Sequence, residues 1–107
     1  MDLLNLTPHA VVLRREDGSE VTLPPSGTVA RVTTREVVVG EVDGVTVISQ
    51  EFGEVTGLPE EGVPCVVSAL VRTAVPGRRG VYSPDTGPSA VRNEQGQVVA
   101  VTRLVAA

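Results

Sequence analysis

The chain has 107 residues, of which 41% are hydrophobic, and this is enough for one domain with one core. Its formal net charge is −4, so it lacks the net basic surface that binding to a phosphate backbone requires. We therefore expect no nucleic acid partner.

Valine dominates the apolar composition, with 23 residues against one Phe, one Tyr and no Trp. Branching at Cβ restricts a side chain in a helix and suits the pleated surface of a sheet. We therefore predict a single, mainly β (α+β) domain over residues 1–107. It would be a compact, hairpin-rich sheet or a small barrel.

The N-terminal segment predicts a cytoplasmic protein. Asp2 stands where an export signal would carry basic residues, and no run of about 18 apolar residues occurs anywhere in the chain. The single cysteine, Cys65, cannot form an internal disulfide, which fits a reducing compartment. We expect no association with a membrane.

The first predicted hairpin surrounds Asp17 and Gly18, which separate apolar runs at residues 10–13 and 21–23. An Asp-Gly pair tolerates the positive φ angles of a tight turn. This is the best-defined local signal in the chain.

The second predicted hairpin repeats this pattern, because Asp43 and Gly44 separate residues 37–42 from residues 45–48. Gly40 interrupts the first of these runs and is a candidate for a β-bulge, since glycine inside a strand often marks one.

A third turn is predicted at residues 93–96, before a final strand over residues 98–105. Valine, alanine and leucine occur on both faces of this last strand. We therefore expect it to lie inside a sheet, with neighbours on both sides.

One segment favours a helix. A strand over residues 63–67 leads to Ser68, which is a good N-cap, and apolar residues then follow at helical spacing up to Pro76 and Gly77. We predict one short helix near residues 68–75, held in place by packing because it is too short to be stable alone.

The triplet Asp85-Thr86-Gly87 matches the active-site motif of the aspartic proteases. That chemistry needs two aspartates on buried turns, so that the two carboxyl groups share a proton. Residues 82–84 and 88–89 are Pro- and Ser-containing and favour a loop. We expect Asp85 to lie in an exposed turn, with no protease activity.

Metal chemistry is not favoured, because one His and one Cys cannot supply the ligands of a zinc site. Cys65 is expected to be a small core residue. We predict no metal and no cofactor. Four glutamates that would form an acidic site are expected instead to be solvated: Glu51, Glu54, Glu60 and Glu61.

Two loops concentrate polar groups. "NLTPH" contains Asn5, Thr7 and His9, which would share one face of a strand, and "PPSGTVAR" contains Ser26 and Arg31. The alternatives are a strand edge whose Asn and Thr bond to the backbone, and a solvent-facing arginine. All nine basic residues are arginine, which binds carboxylates and phosphates well, although a GC-rich genome would also encode this composition.

These stretches resemble a family of small bacterial and bacteriophage proteins. Its members share Asn-x-Thr-Pro-His, Pro-x-Ser-Gly with a following Ala-Arg, Val-Ser-x-Leu-Val, and an Arg before a Gly turn. Here the matching stretches are "NLTPHAVVL", "PPSGTVARV", "GLPEEGVPCVVSALV" and "VRNEQGQVVAVTRLV", which cover almost the whole chain. The resemblance implies a phage accessory role, such as sequestering a nucleotide-type immune signal.

The sequence leaves three functions open. The first is a non-catalytic protein, as a monomer or a homo-oligomer, that binds a small anionic molecule. The second is a small hydrolase that uses His9 and a carboxylate, and the third is a phage or bacterial structural-assembly protein. We favour the first, because one histidine without a metal set offers few ways to arrange an acid and a base. No catalytic residue is predicted, and the predicted ligand-binding residues are Asn5, Thr7, His9, Ser26, Arg31, Arg78 and Arg92.

Overall fold

A computed structural model describes residues 3–107, and Asp2, which entered the prediction of a cytoplasmic protein, lies outside the described residues. The described part of the chain is mainly β, with 47% of its residues in strands and 6% in one helix. The helix is α1 (Ala69–Ala74). The strands are β1 (Leu4–Asn5), β2 (Val11–Arg14), β3 (Glu20–Leu23), β4 (Arg31–Val42), β5 (Val45–Thr56), β6 (Cys65–Val66), β7 (Val81–Pro84), β8 (Val91–Arg92), β9 (Val98–Ala100) and β10 (Leu104–Ala106).

The strands are divided among four small sheets. One has four strands in the order β1-β6-β7-β10, and the other three are the pairs β2-β3, β4-β5 and β8-β9. β6, α1 and β7 form a β-α-β unit, because β6 and β7 are parallel and the helix connects them. The β-rich fold with one short helix confirms the prediction. The described strands do not form one hairpin-rich sheet or a closed barrel.

The core lies where α1 covers the four-stranded sheet. Cys65 and Val67 are fully buried beside Val71 of the helix and Val81 of β7. Cys65 is thus a core residue, as predicted, and burial raises the pKa of its thiol. We define this region, the four-stranded sheet with α1, as the body of the protein.

The helix begins where the sequence predicts. The Ser68 hydroxyl accepts a hydrogen bond from the Val71 amide at 3.3 Å, which caps the first turn. Gly77, just after the helix, has a φ of 77° and turns the chain back toward β7. Six helical residues are too few to be stable alone, so the buried Val71 is what holds the helix to the sheet.

Both Asp-Gly pairs form hairpins, as predicted, but the two turns differ. Asp43 and Gly44 both have positive φ, 51° and 77°, and make a two-residue turn between β4 and β5. In the first hairpin, Gly18 has positive φ and its amide donates to the Arg15 carbonyl at 2.9 Å, within a longer loop. The same dipeptide therefore serves two turn geometries.

The second hairpin is far longer than predicted, since β4 and β5 each have 12 residues. Val38 pairs with Ile48 and Gly40 with Val47, so the bulge expected at Gly40 is confirmed, with Val39 as the extra residue. We call residues 31–56 the arm.

The arm makes the molecule elongated. The principal extents are 50 × 38 × 23 Å and the radius of gyration is 16.1 Å, whereas a compact chain of this length has about 13 Å. Most residues of the arm are exposed on both faces of the ribbon.

The prediction of one continuous last strand inside a sheet is wrong. β9 pairs with β8, and β10 pairs with β7 at the edge of the four-stranded sheet. Between them the chain bends, with the Thr102 hydroxyl bonded to the Ser89 carbonyl at 3.0 Å. Arg103 Nη2 donates to Asp85 Oδ2 at 2.8 Å. These two polar contacts hold the bend in a segment whose composition is mainly apolar.

The prediction of a loop at residues 82–84 is also wrong. They belong to β7, which lies between β6 and β10 and buries Val81 and Ser83. Pro84 is accommodated because it occupies the last position of the strand. Buried and half-buried positions alternate along β7. The sequence does not reveal this alternation, because one of the two buried positions is the polar Ser83.

Among residues 3–107, no helix has the length and apolar character needed to cross a membrane.

Candidate functional site

The segment "NLTPH" is closed on itself by Asn5. The Asn5 amide nitrogen donates to the His9 carbonyl at 2.8 Å and to the Leu23 carbonyl at 2.9 Å. Its oxygen accepts from the Thr7 amide at 3.0 Å and from the Thr7 hydroxyl at 2.6 Å. Asn5 is only 2% exposed. Its side chain therefore serves the fold, which is the structural alternative recognised from the sequence.

This closed segment forms one wall of a cleft. The Ala30 amide donates to the Leu6 carbonyl at 2.9 Å, which holds the start of β4 beside the segment. The N-terminal end of α1 lies on the other side. We call this space, of about 230 Å³, the Arg31 cleft; its lining residues include Leu6, Thr7, Arg31, Ser68, Leu70 and Val71.

Arg31 is the one basic residue of nine without a partner among the described residues. Arg31 occupies the first position of β4 and is one of the residues that line the cleft. The other eight arginines each contact a described residue: Arg14 pairs with Glu20, Arg15 with Ser19, Arg35 with Glu51, Arg72 with Ser83, Arg78 with Pro59, Arg79 with Glu61, Arg92 with Thr86, and Arg103 with Asp85.

Two hydroxyl groups also line the Arg31 cleft. The Thr7 hydroxyl has acceptors at both Asn5 Oδ1 and the His9 carbonyl, so its proton is used internally and its lone pairs remain available. The Ser68 hydroxyl accepts from the Val71 amide, so its own proton is free to be donated. The cleft thus combines one cation, one donor hydroxyl and apolar walls.

His9 lies elsewhere. It is exposed and lines a separate cavity of about 380 Å³ together with Val12, Pro84, Thr86 and Val101. No Asp or Glu is among the described residues that line this cavity. His9 therefore does not join Arg31 in one site.

Three further predicted site residues also lie outside the Arg31 cleft. The Ser26 hydroxyl is 3.3 Å from the Thr28 amide and organises its own turn. Arg78 donates to the Pro59 carbonyl at 2.7 Å, and Arg92 to the carbonyls of Thr86 at 2.7 Å and Gly96 at 2.9 Å. Of the seven predicted residues, the structure brings only Thr7 and Arg31 together in one cleft.

Sequence reasoning missed Ser68 as a cleft residue, although it identified this serine as the N-cap. An N-cap hydroxyl keeps a free proton next to an exposed helix end, and this was the available signal. It also missed Arg72, which donates to the buried Ser83 hydroxyl at 2.7 Å. No pattern in the sequence links these two residues.

Asp85 lies in the loop after β7, as predicted, but its carboxylate is surrounded by donors and is only partly exposed. Oδ1 accepts from the Gly87 amide at 3.0 Å, and Oδ2 accepts from Ser89 at 3.2 Å and from two nitrogens of Arg103 at 2.8 and 3.1 Å. Its side chain is 20% exposed. The Gly87 amide and the Arg103 guanidinium hold the pKa of Asp85 below its ordinary value.

This arrangement is unlike a protease site, because an aspartate that shares a proton cannot be locked in the ionised form by an arginine. Asp85 acts as a connector between β7 and the segment before β10. No cluster of three His, Cys, Asp or Glu side chains suited to a metal ion occurs within residues 3–107.

Comparisons with protein-family models, with curated proteins and with solved structures gave no match. The family resemblance therefore stays a prediction, and only the geometry of this chain bears on its function.

Proposed function

We propose that the protein is a non-catalytic binding protein that holds a small anionic molecule in the Arg31 cleft. The observation that carries this proposal concerns Arg31, which lines the cleft and is the single arginine without a partner among the described residues. A guanidinium with no internal acceptor can give both parallel donors of its fork to a phosphate or carboxylate.

The surroundings of Arg31 suit an anion attached to a small apolar or ring-shaped group. The Ser68 hydroxyl has a proton to donate to an anionic oxygen. Leu6, Leu70 and Val71 offer apolar contact area on the cleft walls. A few polar groups that fix orientation, set among apolar walls, are the usual composition of a small-molecule site.

The size of the cleft limits the ligand. Its volume of about 230 Å³ is below the roughly 300 to 1,000 Å³ of sites that enclose drug-sized molecules. A phosphate with one attached sugar-sized group would fit, and a larger group would extend into solvent. A nucleotide-type signal, which the family resemblance implies, would then bind through its phosphate and ribose.

The hydrolase that would use His9 and a carboxylate has less support. The described lining of the His9 cavity contains no carboxylate. Asp85, which adjoins two of the lining residues in sequence, is already bonded to Arg103 and Ser89. A general base must be within hydrogen-bond reach of the proton that it removes, and no such pair is assembled around His9.

The test is a thermal-shift screen of the full chain against nucleotides, cyclic nucleotides and inorganic phosphate, followed by calorimetric titration. A ligand at 100 times its dissociation constant stabilises a protein by about 2.7 kcal/mol. Arg31→Ala should weaken binding by at least roughly tenfold, because a charge-assisted hydrogen bond contributes about 1.5 to 3 kcal/mol. Arg79→Ala is the matched control, since that arginine is exposed and outside the cleft.

Two results would count against the proposal. One is a bound ligand whose affinity is unchanged by Arg31→Ala. The other is steady conversion of the ligand to a product, detected by chromatography after incubation, which would point to the enzyme instead. Recovery of the ligand intact after heat denaturation is the expected result for sequestration.

A further inference from the structure

The Arg31 cleft contains very little charge. Among the described residues that line it, Arg31 is the one charged residue, and no Asp, Glu, His, Cys or Tyr is present. The other lining residues are apolar, apart from Thr7 and Ser68. A ligand in this cleft therefore meets one positive charge and no negative one.

The other basic residues near the cleft in sequence are engaged elsewhere. Arg72 follows Val71 on α1, but its Nε donates to the Ser83 hydroxyl at 2.7 Å. Further along β4, Arg35 is bonded to Glu51. His9 lines a different cavity. The described elements that form the cleft thus bring no second cation to it.

One cation is matched by one negative charge. The attraction between a ligand and Arg31 grows in proportion to the charge of the ligand, whereas the cost of removing the ligand from water grows with the square of that charge. Between apolar walls, the second charge of a dianion has no partner to offset this cost. The net charge of −4 on the chain adds a repulsion that is also larger for a dianion.

The hydrogen-bonding groups of the cleft also match a phosphate diester. The guanidinium of Arg31 can supply two parallel donors, and the Ser68 hydroxyl can supply a third. A diester has two non-bridging oxygens, which share one charge and can accept these three hydrogen bonds. A monoester has one more such oxygen, and the described lining offers it no other side-chain donor, because the Thr7 proton is used internally.

We propose that the Arg31 cleft selects singly charged phosphate diesters over doubly charged phosphate monoesters. This inference rests on the proposed function, since it concerns the same cleft, and it adds the charge of the ligand. It follows from the single cation at the cleft and holds whatever group is attached to the phosphate.

The first test compares two ligands that differ by one methyl group and one charge. Adenosine 5′-monophosphate and its methyl ester share the ribose and the base, and calorimetric titration of the full chain at about pH 7.5 gives both dissociation constants. At this pH only about 3% of the monophosphate is singly charged, because its second pKa is about 6. The ester should therefore bind more tightly, by up to about thirtyfold if only the singly charged form binds.

Acidification sharpens this comparison. Between about pH 7.5 and pH 5 the monophosphate takes up its second proton, so its affinity should rise toward that of the ester. The ester phosphate does not titrate in this range, and the ester therefore reports any change in the protein itself. His9→Gln checks the only histidine of the chain and should leave both affinities unchanged. Circular dichroism at about pH 5 checks that the protein stays folded.

Either of two results would overturn the selectivity. One is a monophosphate that binds at about pH 7.5 as tightly as the ester. The other is a gain of less than about threefold in monophosphate affinity on acidification.

The second test adds a cation to the cleft. Leu70 lines the cleft and is 45% exposed, so Leu70→Arg can introduce a second guanidinium without disturbing a buried side chain. The monophosphate should then gain at least roughly tenfold in affinity relative to the ester. Leu70→Gln is the matched control, because it is polar but uncharged and should keep the preference for the ester. An unchanged preference in Leu70→Arg would contradict the role of the single cation.

The results also separate this inference from the proposed function. Arg31→Ala should weaken binding of the ester at least roughly tenfold. If it does so while the monophosphate and the ester bind equally well to the wild type, only the charge selectivity fails. If neither ligand binds, the phosphate-and-ribose mode of the proposed function fails, and the selectivity fails with it.

Discussion

Valine builds both the body and the arm, but its surroundings in the two regions are opposite. Val66 and Val67 of the body are fully buried, whereas Val38 and Val42 of the arm expose more than 60% of their surface. Both pairs lie in or beside β-strands, so the preference of valine for strands is satisfied in each. The comparison teaches that strand propensity and burial are separate properties of a sequence.

The difference follows from the layers around each strand. In the body, α1 places Val71 over the sheet, and β7 has a strand on each side. In the arm, two strands pair only with each other among the described residues, and residues 38–54 are exposed. A strand becomes part of a core when a second layer covers its apolar face.

The largest expected effect comes from placing a charge in each region. Val66→Asp should abolish cooperative folding, because an unpaired buried carboxylate costs more than about 4 kcal/mol, close to the stability of a small domain. Val38→Asp should change the unfolding free energy of the monomer by less than about 0.5 kcal/mol. Chemical denaturation at dilute concentration measures both. Equal destabilisation by the two changes would remove the distinction between body and arm.

The second prediction concerns the polar support of the body. Asn5→Ala should lower the unfolding free energy by about 2 to 4 kcal/mol, because it leaves the carbonyls of His9 and Leu23 without their donor. Asn93 is a matched control, since its side chain also bonds to neighbouring amides but is exposed. Asn93→Ala should cost less than about 1 kcal/mol.

Equal losses for the two asparagines would show that burial does not amplify the contribution of Asn5. Asn5→Asp sharpens the result, because it keeps an acceptor for Thr7 but places an oxygen against two carbonyls. This variant should be at least as unstable as Asn5→Ala.

The third prediction is a pH dependence at Asp85. Its pKa in the folded protein is below the ordinary 3.8, so on acidification the unfolded chain binds this proton first. The stability contributed by ionised Asp85 is therefore complete above about pH 4 and is lost as the pH falls through the lower folded pKa. Asp85→Asn should be less stable than the wild type at neutral pH, and this difference should shrink below about pH 4.

Denaturation midpoints of both proteins between about pH 7 and pH 3 check this dependence. A gap between wild type and Asp85→Asn that stays constant over the range would contradict it. Equal stability at pH 7 would instead restore the sequence-based view of Asp85 as a simple turn residue.

The smallest effect is expected at the glycines of the arm. Gly44 has a φ of 77°, so Gly44→Ala should destabilise the turn by about 1 kcal/mol. A side chain at Gly40 meets nothing within 4 Å, so Gly40→Ala should be close to neutral. Because the arm has few buried contacts, hydrogen exchange of arm amides is the sensitive measurement. If Gly44→Ala accelerates amide exchange in the body more than in the arm, the arm does not behave as a separate unit.

Part of the candidate site could be read from the sequence. "NLTPH" and Arg31 were recognised as polar groups without an obvious role in folding, and Thr7 and Arg31 do meet in one cleft. The separation of His9 from Arg31 could not be predicted. Asn5 turns the segment back by bonding to the His9 carbonyl, and this contact sends the His9 side chain to a different surface.

The sequence by itself determined part of the local structure of this protein. The Asp-Gly turns, the bulge beside Gly40 and the Ser68 cap depend on the φ angles and hydrogen bonds of a few adjacent residues, which the residue types specify directly.

Tertiary structure alone decided which strands are covered and where polar side chains find partners. β7 is a central strand because β6 and β10 pair with it on either side. Asp85 is half-buried and bonded to Arg103, which lies 18 positions further along the chain. Val38, Val42 and Val45 of the arm remain exposed because no other segment of the described chain covers them. Such outcomes depend on contacts between residues that are distant in sequence, and local patterns carry no information about which distant segments meet.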